Sequence, residues 1–183
     1  MDSIKIVMDR MRQNGDAPAL YWQGLEYNYT SFCDMIDNWQ KHLAENGINQ
    51  GTVCGVLSDY SPQTCALFFA LMQAGVILVP FTRNIEAEMP AFMEIAGVQF
   101  LFRFDTQDKW TLDRFEGAPQ ADLVLSFREQ LSPGLIVFTS GSTGKPKGIL
   151  HDCERVMRKF VTKREGWRTV LFLMMDHFIH LKI

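Results

Sequence analysis

The run Thr139-Ser140-Gly141-Ser142-Thr143-Gly144-Lys145-Pro146-Lys147-Gly148 follows directly on the apolar, strand-like segment Leu135-Ile136-Val137-Phe138. It gathers three glycines, four hydroxyl side chains and two lysines. Glycines let a backbone approach a ligand closely and adopt positive φ. Backbone N–H groups, hydroxyls and ammonium groups are all donors, so such a turn can surround an anion from several sides. A polyphosphate suits so many donors and so few acceptors. A phosphate-gripping turn placed straight after a buried strand fits an open α/β sheet, whose ligands bind beyond the carboxyl ends of its strands.

Two familiar phosphate loops are excluded by spacing. The P-loop needs Gly, four residues, then Gly-Lys-Ser/Thr. Here Gly144-Lys145 is followed by Pro146, the position five before Gly144 is Thr139, and Gly148 is followed by Ile149. The dinucleotide pattern Gly-x-Gly-x-x-Gly is also missing. A plain Ser/Gly linker is the bland alternative, but linkers lack this ordered string after a buried strand.

The rest of the chain reads as strands alternating with helices. Ile4, Val7, Met8 and Met11 recur at helical spacing and end near Asn14-Gly15. Ala19–Trp22 and Leu25–Tyr29 flank Gln23-Gly24 as a β-hairpin. Ser31 is placed to cap a helix whose stripe is Phe32, Met35, Ile36, Trp39 and Leu43, with Gly47 at its end. That aromatic stripe is read as core. A strand over Val53–Leu57, a helix from about Pro62 to Ala74 and a strand over Val76–Val79 follow. A helix over 86–96 leads to a strand over Val98–Phe102. Residues 103–134 give no readable element. After the loop, Ile149 and Leu150 look like a short strand, and Asp152 is placed to cap a helix carrying Val156, Met157, Phe160 and Val161. The pattern predicts an α/β fold: a mainly parallel sheet with helices on both faces.

Thr139 to Gly148 resembles the phosphate-binding signature of the adenylate-forming, or AMP-binding, superfamily, which includes acyl- and aryl-CoA ligases, luciferases and the adenylation domains of peptide synthetases. Gly47-Ile48-Asn49-Gln50-Gly51-Thr52-Val53 is similar to the family's glycine-flanked entry into its first parallel strand. Ala66 to Phe81 resembles its helix–glycine–strand unit, and the likeness spans roughly residues 15 to 177. The resemblance implies that ATP and a carboxylic acid give an acyl-adenylate and pyrophosphate, with a thiol of CoA or phosphopantetheine then taking the acyl group. It implies that Thr139, Ser140, Ser142 and Thr143 bond phosphate oxygens, that Gly141, Gly144 and Gly148 allow close approach, and that Lys145 belongs to the same nucleotide-binding turn. Lys147 is then the catalytic cation on the leaving pyrophosphate, and Mg²⁺ bridges phosphate oxygens. Asp176-His177-Phe178 is similar to the segment whose histidine lines the acyl pocket, which makes His177 a second candidate catalytic residue. The family's downstream motifs have no counterpart here. Residues 1–183 are therefore expected to be a partial N-terminal AMP-binding domain without the C-terminal domain, and inactive alone. The alternative is an inert fragment that binds a nucleotide or a complementary chain.

Composition narrows the rest. An apolar fraction of 47% in 183 residues suits one globular unit. A net charge of −3 gives no reason to expect a nucleic-acid partner. Eight Lys/Arg against three acids between Lys145 and Arg168 either concentrate ATP or form a solvated helix face. Cys33, Cys54, Cys65 and Cys153 lack Cys-x-x-Cys spacing and read as reduced thiols of a cytoplasmic protein. No signal peptide or membrane-length apolar run is visible. His151 either bridges strand and helix or approaches a phosphate. His177 and His180 have no third ligand nearby, so no metal site is expected.

Overall fold

The computed structural model describes residues 3–116, 121–139 and 146–162. The chain opens with helix α1 (Ser3–Gln13) and the hairpin β1 (Pro18–Trp22) and β2 (Leu25–Asn28). Gln23 and Gly24 turn it with φ of 50° and 80°, the double positive φ that suits a tight two-residue turn. Helix α2 (Tyr29–Glu45) carries the expected stripe, with Phe32, Ile36, Trp39 and Leu43 buried. Its cap differs from expectation. Asn28, not Ser31, is the N-cap: its side chain accepts from the Ser31 N–H at 2.8 Å, and Ser31 already lies inside the first turn. Asparagine caps as well as serine does, and it stands where the extended backbone ends.

Six strands form the main sheet: β3 (Val53–Leu57), β4 (Ile77–Phe81), β5 (Phe100–Phe104), β6 (Trp110–Arg114), β7 (Gly134–Thr139) and β8 (Lys147–Asp152). Their order is β6-β5-β3-β4-β7-β8. The four inner strands are parallel, and β6 and β8 run antiparallel at the two ends. Helix α3 (Pro62–Gln73) links β3 to β4, starting from the Ser61 N-cap with Pro62 in its first turn. Helix α4 (Met89–Ala96) links β4 to β5 after a 3₁₀ turn at Arg83–Ile85. Two elements lie in the unreadable stretch: β6 and helix α5 (Asp122–Arg128). Helix α6 (Cys153–Met157) follows β8.

Strand alternation sorts the core onto two faces. Cys54, Val56, Leu78, Phe100, Phe102, Leu135 and Val137 pack with α1, α2, α3 and α6. Val53, Leu57, Ile77, Val79, Phe81, Leu101 and Ile136 pack with α4 and α5. Helices therefore cover both faces of a mainly parallel sheet, as the pattern predicts. Gly55 has no side chain because a Cβ there would lie 2.9 Å from both Leu101 Cδ1 and Phe81 Cε2. Three cysteines are buried and Cys65 is half-buried. Burial pushes the thiols of Cys65 and Cys153 up to about 12, and Cys54 higher still, which suppresses the nucleophilic thiolate. Among the described residues no helix is long and apolar enough to cross a membrane.

Candidate nucleotide-phosphate site

β7 is buried over its first four residues because it lies in the sheet interior, beside β4. It emerges at Phe138 and Thr139, and the chain returns antiparallel as β8. The register pairs Gly134 with Asp152, Ile136 with Leu150, Phe138 with Gly148 and Thr139 with Lys147. The glycine- and hydroxyl-rich turn thus closes a hairpin at the carboxyl end of a parallel strand, where ligands of such sheets gather. Thr139 and Lys147 are exposed, and the hydroxyl and ammonium residues stand opposite one another at its mouth. Ser140, Gly141, Ser142, Thr143, Gly144 and Lys145 lie outside the described residues, as does His177. The structure therefore brings Thr139, Lys147 and Gly148 together and leaves the other candidates undescribed.

The base of the hairpin is tied down. Asp152 caps α6, accepting from the backbone N–H groups of Glu154 at 2.9 Å and Arg155 at 3.3 Å. The same Oδ1 accepts from Ser132 Oγ at 2.8 Å, joining a residue two positions before β7 to the last residue of β8. Glu154 in turn caps α1, taking the Ser3 N–H at 2.6 Å. Arg10 of α1 donates to the carbonyls of Phe160 and Val161. The descending arm is thus held against the N-terminal helix. The expected helix carrying Val156 to Val161 is shorter than read, with a 3₁₀ turn over Arg158–Phe160 in place of its second half.

His151 lies in β8 opposite Leu135, half-buried, on the face that packs with α1 and α6. Its Nε2 is buried without a hydrogen-bond partner among the described residues. Of the basic cluster, Lys147, Arg155, Arg158 and Lys159 are described, and all four are exposed. Arg155, 79% exposed, lies 3.5 Å from Asp152.

Sequence reasoning missed a polar network beyond β3. Ser58, Ser61 and Thr64 are buried there. The Ser58 and Thr64 hydroxyls lie 2.8 Å apart, and those of Ser61 and Thr64 lie 2.9 Å apart. Asp108, from the β5–β6 turn, accepts from Ser61 Oγ and from the Gln63 N–H at 3.2 Å. A carboxylate at the N-terminus of α3 is favoured by the helix dipole. The Ser61-Pro62 pair was the available signal. Among the described residues no cluster of three His, Cys, Asp or Glu side chains could hold a metal ion. A groove of about 660 Å³ lined by Trp39, His42 and Trp110 lies against β6, at the opposite end of the sheet from β8.

The family model for AMP-binding enzymes matches residues 7–181, nearly the whole chain. The chain belongs to the AMP-binding enzyme family. Among curated relatives, bacitracin synthase 1 of Bacillus licheniformis is 26% identical over 141 residues, covering 76% of this chain and 3% of the relative. The zwittermicin A synthase ZmaJ of Bacillus cereus is 24% identical over 178 residues, covering 89% of this chain and 33% of the relative. Among solved structures, an artificially fused adenylation–PCP di-domain from Klebsiella oxytoca, NpsA-ThdA, aligns with a TM-score of 0.66 at 22% identity. That alignment covers 86% of this chain and 34% of the other. The N-terminal domain of FACL13 from Mycobacterium tuberculosis aligns with a TM-score of 0.62 at 17% identity, covering 82% and 44%. This AMP-binding chain thus spans a third or less of those curated relatives and under half of those structures.

Proposed function

We propose that this chain supplies the triphosphate-gripping part of an enzyme that activates a carboxylic acid with ATP. The observation that carries the reading is the hairpin mouth. Thr139 and Lys147 are paired across antiparallel strands at the carboxyl end of β7, and the turn between them is rich in donors. The residues fit an anionic ligand, because the exposed groups at the mouth are a hydroxyl and an ammonium. In the proposed reaction a carboxylate oxygen attacks the α-phosphorus of ATP. The bond to the bridging oxygen breaks, and pyrophosphate leaves with the electron pair. A thiol of CoA or of a phosphopantetheine arm then attacks the acyl carbon and releases AMP. Thr139, Ser140, Ser142 and Thr143 hold phosphate oxygens, Gly141 and Gly144 let them approach, and Lys145 and Lys147 offset their charge. Mg²⁺ brought in with ATP would supply further charge neutralisation to the phosphates that these residues would hold. His177 faces the acyl group in this reading.

Residues 1–183 form the N-terminal part of the adenylating domain in this proposal. The polypeptide that contains the complete domain should exchange labelled pyrophosphate into ATP when given its acid. Lys147→Ala should lower that exchange about 10²-fold, the usual scale for deleting one preorganised electrostatic group. An unchanged rate would remove Lys147 from the mechanism.

Ile149, 42% exposed on β8, which has one strand neighbour among the described residues, favours a second reading, a chain that pairs with a complementary one. Gel filtration separates the two. A stable monomer that binds ATP with Mg²⁺ counts against a required partner, and assembly only on co-expression counts for one.

A further inference from the structure

The resemblance gives Gly148 to the phosphate, but its surroundings give it another task. Gly148 lies in β8 directly opposite Phe138, and its φ is not in the left-handed range that favours glycine. A Cβ on Gly148 would meet Ile136 Cγ2 at 3.1 Å, Phe138 Cε1 at 3.4 Å and Phe138 Cζ at 3.6 Å. The residue is exposed, yet the direction its side chain would take is already filled. The Phe138 ring is held by α4 as well. It stacks on Phe92 of α4 with centroids 4.5 Å apart and planes 11° apart. Pleating puts Phe138 and Gly148 on one face of the hairpin, and Thr139 and Lys147 on the other.

We propose that Phe138 is a positioning residue of the phosphate turn, and that Gly148 is a glycine to seat Ile136 and the Phe138 ring rather than to approach a phosphate. The inference rests on the nucleotide-binding reading of the turn. The seated ring fixes which residue of β8 stands opposite Phe138. A slip of one residue would turn every β8 side chain to the opposite face. Lys147 would then no longer share a face with Thr139. The ring, anchored on α4, thereby sets the geometry of the cation and hydroxyl that flank the turn while touching no ligand itself.

A double-mutant cycle on the purified chain tests this, with ATP and Mg²⁺ titrated calorimetrically well below the Tm of each variant. Gly148→Val crowds Ile136 Cγ2 and adds two methyl groups against the ring, and Phe138→Ala empties the seat. Each should weaken ATP binding about tenfold, a coupling-sized effect for residues in contact. Gly148→Val/Phe138→Ala should bind no more weakly than either single variant, because valine then occupies the vacated space. If Gly148 instead serves the phosphate, the two losses are independent and multiply to about a hundredfold, and the proposal falls. Loss of Tm with unchanged affinity in the folded protein would reduce Phe138 to a packing residue and also overturn it. Should the parent chain bind no ATP, the nucleotide reading fails, and amide hydrogen exchange then decides the register claim. Phe92→Ala should deprotect the amides of residues 147–150 more than those of β3. Equal or no change there would sink the claim.

Discussion

β3 and β8 have nearly the same length and opposite fates. Every residue of β3 is buried, whereas β8 is exposed over Lys147, Gly148 and Ile149 and half-buried over Leu150, His151 and Asp152. β3 lies between two parallel neighbours, β4 and β5, and has helices over both faces. β8 has one strand neighbour among the described residues, β7. The difference separates two uses of one secondary structure. The inner strand has no side chain free for a ligand and contributes only packing. The outer strand gives up packing energy and leaves the Lys147 ammonium in reach of solvent.

The largest test of that contrast lies in the core. Leu101 of β5 is fully buried beside β3, so Leu101→Ala should cost about 2–5 kcal/mol, read as a lowered urea midpoint. Gly55→Ala comes next. Its Cβ would fall within 2.9 Å of two buried side chains, so overpacking should cost about 1–3 kcal/mol. A loss under half a kcal/mol from either would mean that the inner strands are less tightly packed than their burial says.

A smaller effect is expected where the two regions meet. Asp152→Ala removes the cap of α6 and the bond to Ser132 that closes the hairpin base. Loss of a helix cap costs about 1 kcal/mol. Asp152→Asn keeps an acceptor oxygen and should recover most of it, measured as Tm. If asparagine rescues nothing, the carboxylate charge matters more than the cap geometry.

How far these regions were legible in the sequence follows the same physics. Val53–Leu57 was read with the bounds it has, because a fully buried parallel strand is a continuous apolar run between turn signals. The Pro62 helix was nearly as clear, for Ser61-Pro62 is a helix-start signal. β6 was lost, since Trp110-Thr111-Leu112-Asp113-Arg114 is polar enough at a sheet end to pass for loop. α5 was lost because seven residues without a side-chain cap show barely two turns of periodicity. The turn after β7 offered only its donors and glycines, from which an anion site is expected. The seat of Phe138 was not legible, because ring stacking on Phe92 joins residues 46 positions apart and leaves no local pattern.

The smallest expected effect is the sharpest check on β8. Ile149 is 42% exposed and pairs with Val137, which is 3% exposed. The two share a face of the sheet but not an environment. Ile149→Thr keeps a β-branched side chain suited to a strand and removes only apolar area already in contact with water. Its cost should stay within about 0.5 kcal/mol, the range of surface substitutions away from special features. Val137→Thr places a hydroxyl in the apolar core and should cost about 1–3 kcal/mol. If the two substitutions cost the same, Ile149 is covered in solution. β8 would then be an inner strand like β3, and the contrast between packing strand and presenting strand would fail at its outer member.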